Sequence, residues 1–192
     1  MDLSRYLSDS AAVLQATAAA NLDKAMAQAV DWTAAALAAR LPVLVCGNGG
    51  SAADAQHIAG ELVGRFLKER RGLNVIALAA NPAVLTAWAN DYDYASVFAR
   101  QVEAHGRAGG VLLALSTSGN SANVVQAAEA ARREGMKVVA FTGEGGGRLA
   151  PLAHALLAVP SRHTPRIQEG HLALYHYLCE RVEARVAERD LL

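Results

Sequence analysis

His57 and Glu61 stand one helical turn apart in the stretch VLVCGNGGSAADAQHIAGELVGRF, residues 43–66. An imidazole and a carboxylate at that spacing share one face of a helix and form an acid–base pair. Just upstream, Gly47-Asn48-Gly49-Gly50-Ser51 follows a short β-branched run, Val43 to Cys46. Strand, glycine loop and helix start near Ala52 make a geometry that receives a phosphate or another anion. Gly47-x-Gly49-x-x-Ala52 also fits the dinucleotide pattern, but that pattern needs an acid at the end of the second strand. Leu78-Ala79-Ala80-Asn81 supplies none, and no G-x-x-x-x-G-K-[ST] occurs. The loop is an anion cradle or a plain tight turn.

A second loop carries more donors. Ser116, Thr117, Ser118 and Ser121, with Gly119 between them, lead into a helix from Ala122. An ordinary helix cap needs one hydroxyl; four, with backbone N–H groups and the favourable helix terminus, suit phosphate oxygens. No Lys or Arg lies in the loop, which points to a small phosphate monoester held by neutral donors.

The pair at 57 and 61 faces away from the apolar side of its own helix, formed by Ala55, Ile58, Ala59, Leu62, Val63 and Phe66. At about 100° per residue it falls beside Asp54 and Lys68. Alone, that is a solvated i,i+4 couple. Chemistry there needs a wall, from another subunit or from the C-terminal helix. On that last helix Gln168, Leu172 and His176 form an i, i+4, i+8 row at the margin of a core stripe of Ile167, Leu174, Leu178 and Val182. His171 lies within the stripe as a packed histidine. His105, His154 and His163 sit near element ends.

The elements that must position these residues alternate. Strands are expected at 43–46, 74–78, 111–115, 137–141 and 155–159. Helices are expected from Ala52 toward Phe66, from Asn81-Pro82, over Tyr94 to His105, over Ala122 to Arg133 and from Thr164-Pro165 to about Glu188. Gly143 to Gly147 reads as a loop. Asn90-Asp91-Tyr92-Asp93 interrupts the helical pattern. Alternation implies an α/β three-layer sandwich, a five-stranded parallel sheet flanked by helices. Both loops follow strands and should open onto one crevice. Residues 1–40, alanine-rich and without Pro or Gly, add one or two extra N-terminal helices broken near Asn21, of a kind used in subunit packing. No linker or repeat divides residues 1–192, so one domain is expected.

Lys+Arg and Asp+Glu number 18 each, a balance that gives no reason to expect nucleic-acid binding or adhesion to anionic membranes. The mixed cluster Lys68-Glu69-Arg70-Arg71 reads as a solvated helix end. Two cysteines, Cys46 and Cys179, each in an apolar run, fit a reducing cytoplasm. MDLSRYLSDS has neither the basic start nor the apolar core of a signal peptide, and no apolar run is long enough to span a bilayer. The expectation is a cytoplasmic protein without a membrane partner.

CGNGGSAADAQH, Asn90-Asp91, STSGNSANV, FTGEGGG and RIQEGH, in that order, resemble the phosphoheptose isomerases, a branch of the sugar-isomerase (SIS) domain family. STSGNS alone indicates only an SIS phosphate site; the whole set, with His57, Glu61, Gln168 and His176, resembles the isomerase branch. The resemblance implies the SIS fold in a homotetramer with active sites at subunit interfaces. It implies conversion of sedoheptulose 7-phosphate to D-glycero-D-manno-heptose 7-phosphate, toward lipopolysaccharide or another heptose-containing glycan. It implies one zinc ion per subunit on His57, Glu61, Gln168 and His176. Substrate contacts carried over are Asn48, Gly49, Gly50, Ser51, Asn90, Asp91, Ser116, Thr117, Ser118, Ser121 and Gln168.

The aldose–ketose exchange moves a proton between C1 and C2 through an enediol(ate), with Glu61 as base and His176 as acid. The alternative within the same fold is a non-catalytic SIS protein that regulates replication by binding the initiator protein. Such proteins resemble this chain in the serine loop but lack the glutamate and the final histidine. Gly60, where the family often carries an acidic or small polar residue, and Gly170 depart from helix preference.

Overall fold

The computed structural model describes residues 2–190. The chain opens with α1 (Leu3–Ala18) and α2 (Asp23–Ala38), then runs β1 (Val43–Cys46), α3 (Gly50–Val63), β2 (Val75–Ala77), α4 (Pro82–Asp91) and α5 (Val97–His105). It continues through β3 (Val111–Ser116), α6 (Ala122–Arg133), β4 (Lys137–Thr142), a 3-10 turn (Gly147–Leu152), β5 (Ala155–Ala158) and α7 (Thr164–Asp190). All strands are parallel, in the order β2-β1-β3-β4-β5.

The two-residue period of the strands builds two cores. Val43 and Val45 of β1 and Val111, Leu113 and Leu115 of β3 pack with α2, α3 and α7. Leu44, Cys46, Leu112 and Ala114 point to the other face and pack with α5 and α6. Side chains alternate across a strand, so both faces must be apolar when helices cover both. This is the three-layer sandwich expected from the sequence.

Chain direction across the sheet reverses between β1 and β3, which pair Val45 with Leu113 and Cys46 with Ala114. In an open α/β sheet that reversal leaves a crevice beyond the carboxyl ends of the two strands. The glycine loop leaves β1 and the serine loop leaves β3, so both border it.

Local chemistry sets the element ends. Asn21 takes φ 54°, a left-handed value that asparagine tolerates, and separates α1 from α2. Asn81 caps α4 by accepting from the N–H groups of Ala83 and Val84, with Pro82 in the first turn. α5 begins at Val97 rather than Tyr94, because the Asp93 carboxylate takes the Ser96 N–H and shapes a turn ahead of the helix. The 3-10 turn, which follows the expected loop at Gly143 to Gly147, starts after Gly146, which is left-handed.

α3 ends at Val63, short of Phe66, and the mixed-charge segment after it is not a solvated helix end. Glu183 of α7 accepts the backbone N–H groups of Phe66, Leu67 and Lys68 at 2.8, 2.6 and 2.8 Å. Arg70 closes a buried pair with it at 3.1 Å, both side chains 1% exposed. Burial would raise this carboxyl, but the three N–H donors and Arg70 outweigh it and hold Glu183 below its ordinary value. Among the described residues no helix is long and apolar enough to cross a membrane.

Candidate active site

α3 and α7 of the same chain lie side by side, and α7 supplies the wall that His57 and Glu61 require. His57 Nε2 is 2.9 Å from Glu61 Oε1. The His176 ring meets the His57 ring edge-on, centroids 5.1 Å apart, and leans on Phe66 at 5.7 Å. One ligand atom from each of His57, Glu61 and His176 falls within a 4.8 Å cluster. His176 Nε2 is buried without a hydrogen-bond partner. A buried lone pair or N–H with no partner is costly, and a cation shared with the neighbouring imidazole and carboxylate would satisfy it. Two imidazoles and a carboxylate are the donor set of an exchangeable zinc site. The residues therefore fit a metal ion.

Gln168 lies two turns before His176 on α7, over the start of α3. A Cβ placed on Gly50 would come within 2.4 Å of Gln168 Nε2, so the residue there must be glycine for the amide to lie against the loop. The α3 N-terminus has no side-chain cap, and Ser51 is buried within the first turn. Asn48 is engaged already. It exchanges two hydrogen bonds with Asn123 of α6, each 2.8 Å, and its Oδ1 also accepts from Tyr94 Oη at 3.1 Å. This amide pair ties the glycine loop to the helix that follows the serine loop. One Asn48 N–H remains for a ligand.

In the second loop Ser116 Oγ and Ser121 Oγ are 3.0 Å apart. Ser121 occupies the N-cap of α6, yet its hydroxyl makes no capping bond and pairs with Ser116 instead, which leaves the start of α6 without a side-chain cap. Ser118 Oγ accepts the Asn120 N–H at 3.1 Å and keeps its own hydrogen to donate. Thr117 is half-buried, and its carbonyl accepts from Gly143. A Cβ on Gly119 would strike the Gly146 carbonyl at 2.1 Å, which is how the GEGGG segment braces the serine loop. Asn90 and Asp91 end α4, exposed and bonded to each other at 2.9 Å; Tyr94, three residues on, carries that turn to Asn48.

The SIS domain model matches residues 5–143. Phosphoheptose isomerase of Rhodospirillum rubrum is 55% identical over 159 residues, 83% of this chain and 85% of that protein. Phosphoheptose isomerase of Methylibium petroleiphilum is 47% identical over 98% of this chain and 96% of its own. The chain belongs to the SIS-domain phosphoheptose isomerase family. The solved phosphoheptose isomerase of Neisseria gonorrhoeae superposes with TM-score 0.89 at 40% identity, covering 95% of this chain and 97% of that one. The Vibrio vulnificus NanR protein, solved with ManNAc-6P, shares the fold alone, at 20% identity and TM-score 0.67 over 98% of this chain and 67% of its own. As a member of the phosphoheptose isomerase family the chain is an enzyme of the isomerase class.

Four residues at this site escaped the sequence reading or were passed over: Asn123, Tyr94, Asp54 and Tyr175. Tyr175 Oη lies 2.9 Å from His57 Nδ1 and donates to Asp54 Oδ1 at 3.3 Å. Burial raises the Asp54 carboxyl, opposed by the Tyr175 bond and by His57. Burial, with Asp54 beside it, raises the Tyr175 phenol, so the hydroxyl keeps its proton. A signal existed: Tyr175 stands four residues after His171 and three before Leu178, beside the core stripe, and a buried tyrosine needs a partner for its hydroxyl. Cys46 and Cys179 are buried free thiols, each pushed up to about 12, Cys46 by burial and Cys179 chiefly so; neither is a nucleophile at neutral pH.

Proposed function

We propose that the chain is an aldose–ketose isomerase converting sedoheptulose 7-phosphate to D-glycero-D-manno-heptose 7-phosphate. It would serve heptose supply for lipopolysaccharide or a related glycan in the cytoplasm, as a homotetramer whose sites lie at subunit interfaces. The observation that carries the reading is the convergence of His57, Glu61 and His176 within 4.8 Å, with His176 Nε2 buried and unpartnered, in a chain of the phosphoheptose isomerase family.

The substrate phosphate is assigned to Ser116, Thr117, Ser118 and Ser121, where hydroxyls and the uncapped first turn of α6 supply neutral donors. Asn48, Gly49, Gly50 and Ser51, with Asn90 and Asp91, line the sugar chain. Glu61 removes the proton from the carbon next to the carbonyl and returns it to the neighbouring carbon, the substrate passing through an enediol(ate). His176 protonates or polarises the carbonyl oxygen as charge develops, and takes up the proton of the neighbouring hydroxyl as the aldehyde forms. Residues that would hold one zinc ion per subunit are His57, Glu61, Gln168 and His176. Such an ion, when bound, supplies electrostatic stabilisation of negative charge on the enediolate oxygens. Glu61, named both as base and among these residues, would need its carboxylate free of the ion to take the proton.

Removal of a positioned acid or base costs on the order of 10²–10⁴-fold in turnover. Glu61→Gln and His176→Gln, each confirmed folded by circular dichroism, are expected to lose at least two decades in kcat on sedoheptulose 7-phosphate, followed by NMR detection of the aldose. Turnover within a few-fold of wild type in either variant would remove that residue from the mechanism.

A further inference from the structure

We propose that Tyr175 is a positioning residue for His57. Its hydroxyl, anchored on Asp54, accepts the His57 Nδ1–H and thereby turns Nε2 toward Glu61 and His176. This deepens the metal reading above and rests on it for what Nε2 faces.

Hydrogen bookkeeping carries the argument. The phenol oxygen of Tyr175 is in contact with two groups, Asp54 Oδ1 at 3.3 Å and His57 Nδ1 at 2.9 Å. It has one hydrogen to give. An ionised carboxylate accepts only, so the hydrogen goes to Asp54. Asp54 needs it, because its second oxygen is buried without a partner. The contact with His57 can then be a hydrogen bond only if Nδ1 carries a proton and donates. That fixes the ring: Nδ1–H inward to the buried tyrosine, Nε2 toward Glu61 Oε1 at 2.9 Å. Two acceptors facing each other at that distance require a proton or a cation between them.

Packing holds the relay still. Tyr175 is fully buried, and its ring meets the rings of both His57 and His176 edge-on, at 5.5 and 5.1 Å. Asp54 and His57 are three residues apart on α3, so both reach one hydroxyl from α7. A ligating histidine is oriented by the partner of its other ring nitrogen, and loss of such a partner typically costs about 10–100-fold in metal affinity.

The test uses full-length protein labelled with 15N-histidine, with His57 assigned by its absence in His57→Gln. Ring 15N–1H correlation spectra are expected to show a protonated Nδ1 in the wild type, zinc-free and zinc-loaded. Zinc affinity, measured by competition with a chromogenic chelator, is expected to fall about 10–100-fold in Tyr175→Phe. That variant should also populate the tautomer with the proton on Nε2. Asp54→Asn keeps an acceptor oxygen for the hydroxyl and should fall between the two. A wild-type Nδ1 without a proton overturns the proposal whether or not the variants fold. So does a folded Tyr175→Phe with wild-type zinc affinity and ring state. A wild type that binds no zinc defeats the metal reading, and the Nδ1 proton alone then decides the relay.

Discussion

Two histidines of α7 show how far environment divides one side chain type. His176 turns to α3 and keeps a buried ring nitrogen without a hydrogen-bond partner, whereas His171, fully buried against Phe141, donates Nε2–H to the Thr142 carbonyl at 3.0 Å. Its Nδ1 is buried with no partner, so a second proton would place an unpaired charge in the core. Burial accordingly depresses His171 to about 4, the Thr142 bond opposing. The unfolded chain, near 6.5, binds the proton first as pH falls. Stability from this group is therefore complete above about pH 6.5 and is lost between there and pH 4, on the order of 3 kcal/mol in all. His154, lowered by burial and by Arg132 and Lys137 while its Nδ1 accepts the Val138 N–H, adds the same sign. Urea unfolding across pH 4–7 should show the loss, and His171→Gln, which can keep the bond to Thr142 but does not titrate, should flatten it. An unchanged pH profile in that variant would sink the assignment.

The two glycines that break helix preference part company at the element level. Gly60 sits exposed inside α3, and a Cβ there meets nothing within 4 Å. Gly170 lies where α7 crosses the end of β5, and a Cβ would come within 2.7 Å of Val159 Cγ2. Gly60→Ala should therefore stabilise by about 1 kcal/mol, a rise of roughly 2–4 °C in Tm for a chain of this size. Gly170→Ala should overpack and cost about 1–3 kcal/mol. Thermal melts that rank the two in the reverse order would refute this reading. Sequence could not separate them, because only Gly170 answers to a residue on another element. The same divide runs through the fold and site. Alternating β-branched runs, Asn21, Asn81-Pro82 and the placement of His57 and Glu61 opposite the apolar face were legible from local spacing. Glu183 on the 66–68 backbone and Tyr175 on Asp54 were not, since each joins α7 to residues more than 110 positions earlier.

At the scale of the whole molecule, α1 is a helix without enough to lean on. Thr17 is its one buried residue among those described, while Leu3, Leu7 and Leu14 are 71, 55 and 40% exposed. Its N-terminal half is tied to α7 by Arg166, which donates to the Tyr6 carbonyl and Ser10. Beyond that a groove of about 250 Å³ lies open between α1, α2 and α7, lined by Leu14, Leu22, Met26, Leu174 and Tyr177. An isolated helix of 16 residues is marginal in water, and full burial of each leucine would contribute about 1.5–3 kcal/mol. A second copy of the chain, as in the proposed tetramer, would answer both demands. It also bears on the site, because Leu172 is exposed on the same row as Gln168 and His176, and the His57 side chain is still 42% exposed. Subunits packed on α1 and that row would close the open side and exclude water from the site. Light scattering on the wild type is expected to give the mass of a tetramer. Leu7→Glu combined with Leu14→Glu should lower that mass, reduce the helical signal by up to the length of α1 and depress kcat with it. A monomeric wild type, or a double variant that stays tetrameric, would show that α1 is held by its own chain alone.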